Sequence, residues 1–316
     1  MSVFTNVSEL QARTWLKQYT IGALSKLEGI VSGVENTNYF LTTTHGEFVL
    51  TLFETLTSRQ LPYYLDLMAH LARHGIPSPL PIADIQGSFL GELNGKPACI
   101  VTRLSGRPAE HPDAEHCAEV GELLAEMHLA AKSFPLHMNN WRGASWWKTF
   151  VPEVQPHLPG DEAALLLSEL EFQLRQKHEA LPRGAIHGDV FRDNVLFFEN
   201  RVAGVIDFYF ACDEVLLFDI AITVNDWCVS PDDTLEEGRV RALLQAYDAV
   251  RPLTAEEHEA WPAQLRAAAF RTWLGRLGYA HFPQSGEMTH TKDHTHIRRI
   301  LQRHIQTGDG LKSIWI

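Results

Sequence analysis

Asp189 and Asn194 lie in the run HGDVFRDNVLFF, residues 187–198, and a third oxygen-bearing side chain, Asp207, ends the apolar run VAGVID just downstream. An Asp able to reach a hydroxyl, followed by an Asn and by an Asp at a strand end, is the set of groups that Mg²⁺-dependent phosphoryl transfer needs. Mg²⁺ takes oxygen ligands in near-octahedral geometry and usually combines one or two protein groups with waters and substrate phosphates, so one amide oxygen and one carboxylate suffice. Asp and Asn are also common turn residues, and the run can be read as a loop of Asx-turns and caps. That plainer reading leaves the placement of Asp207 unexplained.

A second stretch, SGVENTN at 32–38, enters the first strong strand signal. Backbone N–H groups there can cradle a phosphate without Lys or Arg. Its only glycine is Gly33, and a turn entering a hairpin accounts for the same residues.

The elements that must position these groups fall into two parts. Residues 38–44 and 47–53 are β-branched and aromatic runs joined across His45-Gly46, which predicts a hairpin. Leu61, Tyr64, Leu65, Met68 and Leu71 recur at helical spacing and predict a helix over 57–74, ended by GIPSPLP. SFLGEL and PACIVTRL are joined by Asn94-Gly95, the dipeptide suited to a type I′ turn. Composition shifts between Ser105 and Pro112. Asp113 then caps a helix running to about Ala131, with Cys117, Val120, Leu124 and Met127 on one face, and further helices are predicted over 161–180 and 235–250. Within this helical part, AIH, NVLFF and VAGVID at 184–208 read as short strands. The expected fold is α+β and two-lobed, with a β-rich part at 1–104 and a mainly helical part at 105–316.

The motif residues resemble those of the aminoglycoside phosphotransferase and choline kinase-like superfamily, which shares the protein-kinase fold. HGDVFRDNVLF and VIDF carry that resemblance. More narrowly, VENTNYFL at 34–41, FVLTLFE at 48–54, GVIDFYFAC at 204–212, FDIAITVNDWC at 218–228 and FRTWLGRLGY at 270–279 are similar to the bacterial homoserine kinases of that superfamily, enzymes of threonine biosynthesis. The resemblance covers most of the chain. It implies ATP as phosphoryl donor and Mg²⁺ as cofactor, with Asp189 accepting the proton of the acceptor hydroxyl, Asn194 and Asp207 holding the metal, and His187 supporting the loop. It further implies a nucleotide-binding first lobe, with Gly33, Asn36 and Thr37 near the phosphates and Val101, Thr102 and Arg103 in a hinge strand that meets adenine through its backbone. One departure stands out: where kinases carry a phosphate-gripping Lys, or in some relatives an Arg, this chain has Thr51. Asp66 is the nearest candidate for the acidic helix partner of that missing cation.

The acceptor that the resemblance implies is L-homoserine, giving O-phospho-L-homoserine. Its ammonium calls for carboxylates and amides, for which Asp219, Asn225 and Asp226 are the candidates, and its carboxylate for a guanidinium fork, for which Arg271 and Arg276 are. The bland alternative makes these arginines salt-bridge residues and Asp219 a helix cap. Choline or ethanolamine is a second acceptor reading, with Trp141, Trp146, Trp147, Trp227 and Trp273 as possible partners for a quaternary ammonium. An aminoglycoside, or a pseudokinase-like module that binds without turnover, completes the alternatives.

Composition bounds these readings. The 316 residues carry 39 Asp plus Glu against 27 Lys plus Arg, a formal charge of −12, with no basic cluster, which argues against a nucleic-acid partner. The four cysteines form no CxxC pair, the N-terminal stretch lacks a secretory pattern, and no apolar run is long enough for a membrane span. A cytoplasmic protein, monomer or homodimer, is expected, with no membrane partner. His290, His294 and His296 lack a metal-site pattern and read as exposed polar residues; DDTLEEG at 232–238 reads as a solvated helix start.

Overall fold

The computed structural model describes residues 4–30, 36–282 and 293–316. Its contacts separate two compact units, with the division falling between Ser105 and Gly106. Gly33 and His290 lie outside the described residues.

The first unit is built on an antiparallel sheet of order β1-β2-β3-β5-β4. It comprises helix α1 (Glu9–Trp15), β1 (Leu24–Gly29), β2 (Asn36–Thr43), β3 (Gly46–Phe53), helix α2 (Leu61–Arg73), β4 (Gly91–Leu93) and β5 (Lys96–Thr102). The β2-β3 hairpin pairs Asn36 with Phe53 through to Thr43 with Gly46. The β4-β5 hairpin turns on Asn94 and Gly95, both at positive φ (53° and 74°), as a type I′ turn requires. Strand alternation divides the side chains between two faces. Tyr39, Leu41, Leu50, Leu52, Ala98 and Ile100 join Trp15 and Tyr19 in one buried core, each large side chain contributing about 1.5–3 kcal/mol. Asn38, Phe40, Val49, Thr51 and Val101 fall at the alternate positions. Helix α2 starts later than the sequence predicts, because Gln60 bonds back to Thr57 in a preceding turn. It buries Leu61, Tyr64, Leu65, Met68 and Leu71, the periodic set read from the sequence.

The second unit is mainly helical: α3 (Ala114–Ala131), α4 (Ala144–Val154), α5 (Gly160–Leu174), α6 (Leu216–Trp227), α7 (Glu237–Val250), α8 (Ala255–His281) and α9 (His294–Thr307). Asp113 caps α3 by accepting from the His116 N–H. Helix α3 packs so closely on α7 that a Cβ at Gly121 would lie 2.2 Å from the Leu243 carbonyl oxygen. Only glycine permits that approach. Helix α6 is buried on nearly every side, the signature of a central helix rather than a surface one. Helix α8 begins with a reciprocal capping box between Thr254 and Glu257.

Two short ladders are interleaved in this unit. Strands β6 (Arg183–Ile186) and β9 (Cys212–Val215) pair with each other, as do β7 (Val195–Phe198) and β8 (Arg201–Val205). The chain therefore runs β6, the 187–194 loop, β7, β8, Asp207 and then β9. This order brings the β6-β7 loop and the β8-β9 link to the same ends of their ladders. One expectation is corrected here: Asp233, in the stretch read as a solvated helix start, is buried and bonds His296 and Arg299 of α9. Among the described residues no helix is long and apolar enough to cross a membrane.

Candidate active site

The 187–194 loop is tied down before any ligand is considered. Gly188 sits at φ 76°, and a Cβ there would come within 2.7 Å of the Phe210 carbonyl oxygen, so the turn demands glycine. The Asp189 carbonyl accepts from the Phe191 N–H at 2.7 Å and from Asn194 Nδ2 at 2.9 Å, closing the loop on itself. Helix α6 holds the rest. Asp219 accepts the His187 and Gly188 N–H groups, each at 2.8 Å; Asp226 accepts the Arg192 N–H at 2.7 Å; and Trp227 Nε1 donates to the Val190 carbonyl at 3.0 Å. Asp219 is itself held by His128 at 3.1 Å, and His128 by the Tyr247 hydroxyl at 2.7 Å.

His187 links the loop to Asp207. Its Nδ1 must accept, because its partner is the Asp189 N–H at 3.2 Å, and its Nε2 must donate, because its partner is the Ile206 carbonyl at 3.0 Å. Only the neutral imidazole satisfies both. Burial pushes its pKa down to about 4 against the opposing charge of Asp219. The Ile206 N–H in turn donates to the Asn194 carbonyl at 2.9 Å. Asp207 therefore leaves β8 next to Asn194, in left-handed backbone (φ 68°) with its side chain exposed. Aspartate tolerates that conformation better than most residues, and such strain concentrates at functional sites.

Asp189 is half-buried. Its Oδ1 lies 3.4 Å from Arg271 Nη1, and its Oδ2 accepts from Asn194 Nδ2 at 3.1 Å. With Nδ2 directed at Asp189, the Asn194 Oδ1 is the end left to face a cation. The donor set suits Mg²⁺: an amide oxygen and an exposed carboxylate, with the remaining positions for water and phosphate.

The expected acceptor ligands divide differently. Asp219 is completely buried and saturated by its two amides and His128, and its carboxyl is held low by His128 and its other hydrogen bonds although burial raises it. Asn225 is buried between the Leu265 carbonyl and His304. Asp226 holds Arg192. The first two are thus removed from any ammonium by burial, and all three serve to position the loop and the helices around it. Arg271 belongs to Asp189. Arg276 donates to the Asp293 carbonyl, and burial lowers its pKa against Asp226, Asp293, Asp193 and Asp189.

The tryptophan set is also redistributed. Trp227 and Trp273 are fully buried and Trp147 nearly so. Trp141 and Trp146 face the guanidinium of Arg142, whose Cζ lies 4.5 and 4.6 Å from their rings. A quaternary ammonium would compete with that guanidinium for both aromatic faces.

In the first unit, Thr51 is buried, and its hydroxyl donates to Asn38 across the β2-β3 pair at 2.7 Å. A neutral hydrogen-bonded pair stands where the kinase pattern has its cation. The Thr37 hydroxyl accepts the Phe4 and Thr5 N–H groups and donates to Glu54, so this buried side chain serves the N-terminal segment and does not reach a phosphate. Asn36 is buried with an unpartnered Oδ1. Val101 pairs with Val49 and Pro81. The Thr102 and Arg103 N–H groups are taken by Leu80 and Glu47, which leaves neither amide for adenine. Arg103 lies over Phe40 at 4.1 Å and bonds Glu47. Asp66 is half-buried, with its carboxyl raised by burial.

A phosphotransferase enzyme family model matches residues 26–253, most of the chain. The chain belongs to the phosphotransferase enzyme family. It is 52% identical over 316 residues to a homoserine kinase of Methylobacillus flagellatus, covering 100% of this chain and 99% of that one. It is 47% identical over 324 residues to a homoserine kinase of Burkholderia thailandensis, covering 98% of each. Its fold is similar to that of a solved amicoumacin kinase in complex with AMP-PNP, Ca²⁺ and Ami, at TM-score 0.73 and 14% identity over 98% of this chain and 95% of the other.

For a member of this phosphotransferase family, one feature that positions the loop is not marked in the sequence. The Asp219-His128-Tyr247 chain joins residues of three helices far apart in sequence, and nothing local marks them as partners.

Proposed function

We infer that the chain is an ATP-dependent kinase that phosphorylates the hydroxyl of L-homoserine to O-phospho-L-homoserine, a step of threonine biosynthesis. The observation that carries the acceptor is full-length identity of 52% and 47% with homoserine kinases of two genera.

The chain's own residues divide the work as follows. Asp189 receives the acceptor hydroxyl, orients it and takes its proton as the oxygen attacks the γ-phosphate. Arg271 and Asn194 fix the two carboxylate oxygens so that the accepting lone pair keeps one direction. Asn194 and Asp207 would hold Mg²⁺, which when bound neutralises charge on the transferred phosphoryl oxygens. The neutral His187 keeps the Asp189 loop and the Asp207 turn in register through Ile206.

The first unit would serve the nucleotide and the second the acceptor and the chemistry. Phe40, Val49 and Val101 lie on one sheet face with Asn36 and the Asn38-Thr51 pair as polar neighbours, and a base held on this face would share the Phe40 ring with the Arg103 guanidinium or displace it. Because Thr51 brings no charge, phosphate binding rests on backbone N–H groups and the metal.

A coupled ADP-release assay with Mg-ATP across homoserine, threonine, choline and kanamycin tests the reading. Homoserine should give the highest kcat/KM. A higher value for choline would reject it, and so would absence of turnover with each of the four alcohols.

A further inference from the structure

Strand β2 carries two amides on the sheet face that holds Phe40: Asn36, Asn38 and Phe40 alternate with Thr37 and Tyr39 on the opposite face. That opposite face is pinned. The Thr37 hydroxyl accepts the Phe4 and Thr5 N–H groups at 2.9 and 3.0 Å, and the Tyr39 hydroxyl accepts the Val7 N–H at 2.9 Å and donates to the Thr5 carbonyl at 3.2 Å. The Asn38 carbonyl accepts the Ile30 N–H at 2.8 Å. The strand that carries the two amides is therefore held in place by the chain itself.

Across the β2-β3 register Asn38 faces Thr51, which is buried between Asn38 of β2 and Cys99 of β5. A buried hydroxyl needs an acceptor for its proton, and Asn38 Oδ1 at 2.7 Å is that acceptor. The bond decides which way round the amide stands. With Oδ1 turned to Thr51, the Nδ2 end leaves the pair carrying two N–H donors, and it meets no acceptor among the described residues. Asn38 itself is only half-buried. Two residues earlier on the same face, Asn36 is 8% exposed, and its Oδ1 has no partner among the described residues. Buried polar atoms are normally satisfied, so this oxygen calls for a donor from a bound molecule.

We propose that Asn38 is a phosphate ligand of the nucleotide, its Nδ2 donating to a phosphate oxygen where the kinase pattern has a lysine, with Thr51 as the residue that positions it. The assignment rests on the kinase reading above, and it adds a side-chain donor to the backbone N–H groups. Hydrogen bonds to ionised oxygens are the stronger kind, so a neutral amide replaces part of what an ammonium would supply. It does so only one way round. An Asn turned over would present its oxygen to the phosphate, and the Thr51 hydroxyl holds it against that turn. An amide already oriented on a pinned strand loses little further freedom when the nucleotide arrives. Phe40 and Asn38 stand two residues apart on this face, about 7 Å along the strand, the scale of the ribose that separates a base from its first phosphate. The Asn36 oxygen can only accept, so it suits a water of the nucleotide's hydration and not a phosphate oxygen.

The test measures equilibrium binding of ADP and of adenosine, which lacks the phosphates, to the full chain and its variants in the presence of Mg²⁺. Asn38→Thr keeps a good strand residue that can share a hydrogen bond with Thr51, and it removes the N–H₂ group. It should weaken ADP by about 10- to 10²-fold, the range for one hydrogen bond to an ionised group, and leave adenosine within about threefold. Thr51→Val should also weaken ADP selectively, because the amide loses its orienting partner, whereas Thr51→Ser keeps the hydroxyl and should bind ADP as the unmodified chain does. Equal losses for ADP and adenosine would make the pair a structural clip of the sheet and overturn the proposal, as would unchanged ADP affinity in Asn38→Thr. Thr51→Val and Thr51→Ser proteins that behave alike would remove the positioning role of Thr51. Failure of the unmodified chain to bind ADP would overturn the kinase reading itself, and it would be seen before any variant is made.

Discussion

Asp189 is gripped at both oxygens, by Arg271 on one and Asn194 on the other. A carboxylate so held has little freedom to turn away from an acceptor hydroxyl, and its value lies in accepting a proton in one direction. Asp189→Asn keeps the size and removes that capacity, so kcat should fall by about 10²- to 10⁴-fold. Nucleotide affinity should be unchanged in a direct titration, and a variant retaining full turnover would remove Asp189 from the chemistry. Asp207 makes a different prediction. It stands exposed in left-handed backbone that Asn tolerates as well, so Asp207→Asn should keep the turn while removing the charge, and raise the Mg²⁺ concentration needed for half-maximal rate. A Mg²⁺ titration identical to that of the unmodified chain would take Asp207 out of the metal site.

Helix α6 decides where that loop stands. Through Asp219, Asp226 and Trp227 it binds the backbone of residues 187, 188, 190 and 192. Asp219→Asn would turn an amide N–H₂ toward a backbone N–H that now meets a carboxylate oxygen, inside a fully buried site. Breaking such a buried charged arrangement costs about 3–5 kcal/mol, and a urea titration should show a loss of that order together with reduced kcat. Gly188→Ala should damage the same loop from the other side, since its Cβ meets the Phe210 carbonyl. A Gly188→Ala protein with unaltered kcat would mean that the turn is not required for catalysis. The reach of the sequence ends at this element. Asp189, Asn194 and Asp207 were legible because a loop and a strand end are local and their spacing is written in the chain. Hairpins were legible too: Asn94-Gly95 states its own turn. Asp219 and Asn225 misled because a helix buried on all sides offers no apolar stripe by which to tell a pocket-facing carboxylate from an internal one. Thr51 was legible as a missing cation, but its partner Asn38 is set by cross-strand register, which sequence spacing alone does not give.

For the molecule as a whole, the buried histidines set the response to acid. His187 and His304 are both held neutral by burial, with pKa values pushed down to about 4 and about 3. In the unfolded chain an imidazole titrates near pH 6.5. The unfolded state therefore binds more protons than the folded state between that value and the depressed ones, and stability is complete above about pH 6.5 and falls as the pH drops toward 4. Each histidine can contribute on the order of 3 kcal/mol across that window. The formal charge of −12 acts in the opposite sense, because protonation of surface carboxylates relieves self-repulsion as the pH falls. Salt separates the two effects. Charges further apart than about 8 Å are largely screened at physiological ionic strength, whereas a proton that must enter a buried site is not. Urea midpoints measured from pH 7.5 to pH 4.5 should fall with acid, and adding salt should steepen the fall by removing the compensating relief. His304→Gln retains a donor for Asn225 and should flatten the fall by up to one histidine's share. An acid response that His304→Gln leaves untouched would mean that its proton uptake does not accompany unfolding.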